Sequence, residues 1–504
     1  MSVASTNMRS LFRRNHYLHI ARIAATAVVA LIAAETSFAN SGDTNDMIHQ
    51  AAFNGDLDKL KAFLKDHPDL VNCTNYLGET PLHNAAQYNH IDVAEFLLAN
   101  KADANARDSI GWTPVSLAIY GDAHSTDMVK LLLANGADVN GRGANYATPL
   151  HFAAQKGYQD MAEMLLASNA DVTAEDGNGA TPLHLAAGYG NTNMVKLLLA
   201  HGADINARKG YDSSTPLDRA ADGFRQEMVA LLLSSNADVN ARDNDGGTAL
   251  HYAAGMGYKD IAALLLDNKA DIEATNYAGE TPLHVATCHD KMETVEFFLT
   301  NHANINAQAT NGWTPLFWAV NGGFIGVAGL LLAHNADYQA RDIYGNTILI
   351  VAAAKGQKDM VEFLLAKQSH VNETNYIGAT PLDFAALNGQ VEVAKLLIAH
   401  GADINIKQTK SNATAINIAA ESGKKEIVQL LLDNKADVNS RTTLRNTPLH
   451  AAALFNHRDV AELLLANLAD VNATNKAGET PLHDAVTVGN EDMAELLRQH
   501  GAHE

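Results

Sequence analysis

A threonine returns every 33 to 35 residues along this chain. Thr80, Thr113, Thr148, Thr181, Thr215, Thr248, Thr281, Thr314, Thr347, Thr380, Thr414, Thr447 and Thr480 each open a copy of one short pattern. Such a period constrains the fold more than any other property of the sequence. A unit of that size cannot bury its own apolar face, so it must stack on its neighbours. The 504 residues, which otherwise suggest about three or four globular domains, are therefore read as an array.

Each copy carries the same physical instructions. The threonine hydroxyl caps a helix, and in ten of the thirteen copies a proline after it sits at the first helical position, where a missing N–H is harmless. A short helix follows with small residues at its close-packed places, as in Ala85-Ala86, Ala153-Ala154 and Ala452-Ala453. A glycine-containing turn leads to a second helix with a leucine face, as from Met194 to Leu199. That helix runs into residues that tolerate left-handed backbone: Gly136, Asn169, Gly202, Asn236 and Gly401. Ala-Asp-Val-Asn and a polar loop close the copy. The low aromatic content, 6%, suits small helices packed closely.

The stretch Thr181-Pro182-Leu183-His184-Leu185-Ala186-Ala187, with Gly190, Met194-Val195, Leu197-Leu198-Leu199 and Gly202-Ala203-Asp204-Ile205-Asn206, resembles the ankyrin repeat closely. The resemblance covers about residues 45–504. It implies an all-α solenoid of about fourteen helix-turn-helix units with β-hairpin fingers. Residues 47–78 read as an N-terminal cap unit without the Thr-Pro motif, 79–479 as internal repeats and 480–504 as a more polar C-terminal cap. The motif is specific for fold and nearly silent on function.

Ahead of the array, Arg9, Arg13, Arg14 and Arg22 precede an apolar run from Ile23 to Ala34, and Ser37-Phe38-Ala39 offers small residues at an export cleavage site. The run is shorter than the roughly twenty residues that span a bilayer. Residues 1–39 read as a signal peptide cleaved after Ala39, with 40–46 as a short linker. The expected location is periplasmic or secreted, and the alternative is a membrane anchor left uncleaved.

The formal net charge is −21, and without the first 39 residues 32 basic side chains face 56 acidic ones. Such a surface repels phosphate backbones and anionic lipid. Nucleic acid is not expected as a partner; a basic protein fits better, and the alternative is that the acidity only maintains solubility. Cys73 and Cys288 lie six repeats apart and are read as thiols, not a disulfide. Asn72, Asn372, Asn412 and Asn472 begin Asn-x-Thr sequons, three of them being the repeat's own asparagine.

His83, His151, His184, His251, His284, His450 and His483 share the fourth place of the motif. A fixed place in a repeat argues for hydrogen bonding to backbone, not for a ladder of metal ligands. Ser116, Asp218, Phe317, Ile350, Asp383 and Asn417 stand there in the other copies. Cys288-His289-Asp290 has the residue types of a nucleophile or metal site, but neighbours in one turn rarely converge on a substrate. No catalytic residue, metal or cofactor is implied.

Aromatic residues mark the expected binding surface. In ankyrin arrays the loop before each threonine is a finger, and the first helices line a concave face. Tyr76, Trp112, Tyr146, Tyr211, Tyr277, Trp313, Tyr344 and Tyr376 fall on fingers. Tyr88, Tyr120, Phe152, Tyr189, Tyr252, Trp318, Phe384 and Phe455 fall at outward places of first helices. Trp313, Phe317 and Trp318 form the densest cluster. Buried tyrosine and tryptophan are common anchors at interfaces. The expected function is a protein-binding scaffold, acting as a monomer without enzymatic activity; the alternative is a small-ligand or carbohydrate binder using an aromatic-lined groove.

Overall fold

A computed structural model describes residues 44–121, 124–208, 210, 212–367 and 369–503. The expected signal peptide and its cleavage site lie outside the described residues, as does Tyr211. Among the described residues the chain forms 28 α-helices and no strand. They belong to two compact bodies, one ending at Asn236 and the other beginning at Ala237.

One repeat shows how the sequence makes the structure. Thr181 has extended backbone (φ −91°, ψ 165°) and starts the helix Pro182–Tyr189. The Thr181 hydroxyl lies 2.8 Å from His184 Nδ1, which also accepts from the Thr181 amide at 3.3 Å. Gly190, left-handed at φ 81°, ends that helix. The second helix, Thr192–Ala200, follows at once and ends before Gly202, at φ 87°. Leu183, Ala186, Ala187, Met194, Val195 and Leu198 are buried between the two helices and the adjoining repeats. Helices of this length are marginal in water by themselves. Packing holds them: within each body, first helices lie against neighbouring first helices and second against second.

The first helix begins at Thr44, inside the stretch read as a linker, and pairs with Leu57–Asp66. Repeats are also stitched by the asparagine of Ala-Asp-Val-Asn. Asn240 Oδ1 accepts from the Asp271 amide at 2.8 Å, and its Nδ2 donates to the Lys269 carbonyl at 3.2 Å. Asn72, Asn372 and Asn472 do the same with the repeat that follows. These sequon asparagines are thus part of the stitching between repeats.

Apart from the loop before Thr215, which includes residues outside the described ones, the loops before the motif threonines are tight turns closed by a main-chain hydrogen bond. In the first, Asn75 N donates to Glu79 O at 3.0 Å, and Asn75 Oδ1 accepts from the amides of Leu77 and Glu79. Asp108, Asp176, Asp342 and Asn375 repeat this side-chain bracket. In the second body each loop also donates one amide to the loop before it. The row runs from Tyr277 N to Asp245 O (2.8 Å) through Thr310–Ala278, Ile343–Asn311, Tyr376–Tyr344, Thr409–Ile377 and Thr443–Ser411 to Lys476 N and Leu444 O (2.9 Å).

Candidate functional site

The recurring histidines are structural. His83, His151, His184, His251, His284 and His450 are buried, with Nδ1 turned to the threonine cap of their own repeat and Nε2 to a carbonyl at the end of the next loop, at 2.9 to 3.1 Å. Because Nδ1 accepts from the threonine amide, Nε2 carries the proton and donates. Burial holds all six below the usual imidazole range, and His83, His184 and His284 fall to about 4. His483, at the same place in the last repeat, is exposed and lies 3.8 Å from Glu479.

Where histidine is absent the cap is rebuilt or lost. Asp218 Oδ2 accepts from the Thr215 amide at 2.8 Å, and Asn417 Oδ1 accepts from the Thr414 amide at 3.0 Å. Asp383 does likewise with Thr380 at 3.0 Å, and burial pushes its carboxyl up to about 6. Phe317 offers no acceptor, and the Thr314 hydroxyl is left without a hydrogen bond.

The finger tyrosines are the most exposed rings among the described residues. Tyr76, Tyr146, Tyr277, Tyr344 and Tyr376 expose between 61% and 70% of their surface. Tyr76 and Tyr146 belong to the first body, the other three to the second. The main-chain bond from Tyr376 to Tyr344 (3.1 Å) sets these two rings on adjacent fingers. Ile343, Ile377 and Leu444, also exposed, extend the apolar tips of the second body. Their columns in the repeat are those of the tyrosines, which is the signal that would have found them.

The tryptophans are placed differently. Trp112 is half-buried, stacked on Phe152 at 4.8 Å and tilted against Tyr120 at 5.0 Å. Lys156 Nζ lies 4.2 Å from the Tyr120 ring centre. Phe152, expected on the surface, is 7% exposed and belongs to this packed group. In the second body Trp313 meets Trp318 edge-on at 4.9 Å and Phe317 at 6.0 Å. Phe317 is fully buried, so its expected place among the binding residues is corrected. It occupies the histidine position, which faces the core between repeats and not the surface. Trp313 and Trp318 are half-buried, and the Trp318 indole N–H is sealed off with no hydrogen-bond partner.

The Cys288-His289-Asp290 stretch does not assemble a site. His289 Nδ1 lies 2.9 Å from the Val285 carbonyl of its own helix, and burial pushes the Cys288 thiol up to about 11. Neither cysteine is in a disulfide. Among the described residues no helix is long and apolar enough to cross a membrane, and no three acidic, histidine or cysteine side chains are grouped to hold a metal ion.

Similarity to known proteins agrees with this architecture. The family model described as ankyrin repeats (3 copies) matches in overlapping blocks from residues 18–108 to 416–504. The neurogenic locus notch homolog protein 1 of Xenopus laevis is 42% identical over 64 residues, 13% of this chain and 2% of that protein. The Danio rerio protein of that name is 42% identical over 66 residues, 13% of this chain and 3% of its own length, and the Homo sapiens one is 42% identical over 64 residues, 13% and 2%. The chain thus spans only 2 to 3% of the length of these relatives. With the threonine caps, the paired helices and the family match in agreement, this chain belongs to the ankyrin-repeat family.

Proposed function

We propose that this chain is an exported scaffold that holds a partner protein against its first helices and fingers. In this reading the 28 helices make fourteen two-helix repeats, the loops serve as the family's β-hairpin fingers, and the first helices form a concave face. Residues 1–39 direct export and are removed after Ala39, leaving a monomer in the periplasm or outside the cell. A membrane-anchored form with that segment retained is the alternative location. The acidic balance of the chain favours a basic partner and disfavours nucleic acid. In this reading the chain binds and does not catalyse.

The observation that supports binding is the set of exposed finger tyrosines. Rings exposed by more than 60% add nothing to the core, yet each is able to contribute roughly 2 kcal/mol when a partner covers it. The half-buried tryptophans are less suited to that role, because their rings already pack on neighbours.

The test is capture of host proteins by residues 40–504, beside a variant with Tyr344 and Tyr376 changed to alanine. The expected result is one protein retained by the native chain and lost by the variant, with unchanged melting temperature. Equal retention by both would remove the finger rings from the site. If neither captured a protein while a glycan or metabolite screen gave a hit, the small-ligand reading would replace the scaffold.

A further inference from the structure

The first repeat breaks the rule that the six buried histidines obey. His49 stands where His83 stands in the next repeat, in Asp46-Met47-Ile48-His49 against Thr80-Pro81-Leu82-His83. With aspartate in the threonine's place, His49 Nδ1 turns to the following repeat and lies 3.3 Å from Asn84 Oδ1. His49 Nε2 lies 3.7 Å from Cys73 Sγ, within hydrogen-bond reach for sulfur. Alanine occupies the place of Cys73 in many other repeats, as Ala106, Ala174, Ala207 and Ala274. Three elements therefore bring a thiol, an imidazole and a carboxamide together in an order found nowhere else among the described residues.

The hydrogen bonds fix the protonation of this group. Asn84 Nδ2 donates to Glu79 Oε2 at 3.2 Å, which turns Asn84 Oδ1 toward His49. An amide oxygen only accepts, so His49 Nδ1 carries the proton and its Nε2 lone pair faces the thiol. His49 is fully buried, and that burial holds its pKa below 6.5. The ring is therefore neutral near pH 7. Asp46 favours the charged ring, His83 opposes it, and the Cys73 main-chain carbonyl also lies beside it. Cys73 itself is half-buried.

We propose that Cys73 is a base-assisted nucleophilic thiol, a modification site for soft carbon electrophiles such as haloacetamides and α,β-unsaturated carbonyls. As sulfur attacks carbon, the S–H proton passes to His49 Nε2 and the S–C bond forms. With a haloacetamide the halide leaves with its electron pair, and the proton on His49 returns to solvent. With an unsaturated carbonyl the proton is delivered to the α-carbon. Asn84 and Glu79 are positioning residues that hold the ring. Cys288 shares none of this arrangement and is the internal contrast.

The test is alkylation of residues 40–504 by iodoacetamide from pH 5 to 9, with the Cys73 and Cys288 peptides quantified by mass spectrometry. An unassisted thiol slows about tenfold per unit of falling pH, because only the thiolate reacts. Cys73 is expected to react at pH 7 at least about threefold faster than N-acetylcysteine, and to slow by clearly less than that tenfold per unit between pH 7 and 5. His49→Gln is expected to restore the ordinary slope. A Cys73 rate at or below that of N-acetylcysteine, or an ordinary slope in the native chain, overturns the proposal. If His49→Gln loosens the first repeat, seen as lost amide protection in Thr44–Asn54, the native slope decides alone.

Discussion

His184 Nε2 meets the carbonyl of Ser214, thirty residues further on, at 3.0 Å. The imidazole's other nitrogen serves the Thr181 cap of its own repeat. One neutral ring thus ties a helix start to the end of the next loop. This arrangement requires an uncharged ring, because a protonated Nδ1 has no lone pair for the Thr181 amide.

The first prediction follows for pH. His83, His184 and His284 sit at about 4 in the folded chain, against 6.5 when free. The unfolded chain therefore binds more protons between those values, so their stabilisation is whole above pH 6.5 and declines as pH falls toward 4. Each ring accounts for up to about 3 kcal/mol over that window. Urea midpoints measured at pH 7.5, 6 and 5 should fall steadily, and His184→Gln should flatten part of the decline at the cost of a lower midpoint at pH 7.5.

Asp383 predicts the opposite sign. Burial raises its carboxyl to about 6 from 3.8, so the folded state takes up a proton as pH falls and gains stability between those values. Above pH 6 the buried charge is a burden. Asn417 fills the same position of the next repeat with a neutral group that accepts from Thr414. Asp383→Asn should therefore raise stability at pH 8 by about 1–2 kcal/mol, with the gain gone by pH 4. A variant less stable than the native chain at pH 8 would refute this account.

Gly345 is tied to the proposed binding surface. Its backbone is left-handed at φ 78°, and a Cβ there would come within 2.6 Å of the Tyr376 ring. Gly345→Ala should cost about 1–2 kcal/mol and swing Tyr376 away from its seat. Partner capture should weaken more than the loss of melting temperature explains. Unchanged capture would show that the seat of Tyr376 is immaterial.

Leu468 sits in left-handed backbone (φ 65°) after the helix Arg458–Ala466, where Gly202 and Gly401 serve other repeats. Its side chain is 86% exposed, so it gives nothing back to the core. Leu468→Gly should stabilise the chain by about 1 kcal/mol, read as a rise in urea midpoint.

The repeat frame was legible because each helix start is written locally. Thr181, Pro182 and Gly190 state where a helix begins and ends without reference to anything distant. The histidines were readable for the same reason, since a fixed place implies a fixed partner. Phe317 was misread because aromatic character alone does not tell the core side of a first helix from its open side; its position in the motif, shared with His284, does. The half-burial of Trp112 depends on Phe152, forty residues away, and no single repeat contains that information. Cys73 was noticed only as a thiol, because the imidazole beside it comes from a repeat without the Thr-Pro motif.

The row of finger amides in the second body has a mechanical consequence. Each of these loops is tied to the loop before it by one main-chain hydrogen bond, beside local side-chain bonds, so a load applied along the chain meets these ties in succession. The second body should then yield as a zip, one repeat per step, with force peaks set by local contacts. Each step of 33 residues would release about 110–120 Å of extended chain. A partner spanning several fingers would have to be peeled before any of those steps could begin, and bound cargo would register as added toughness under tension.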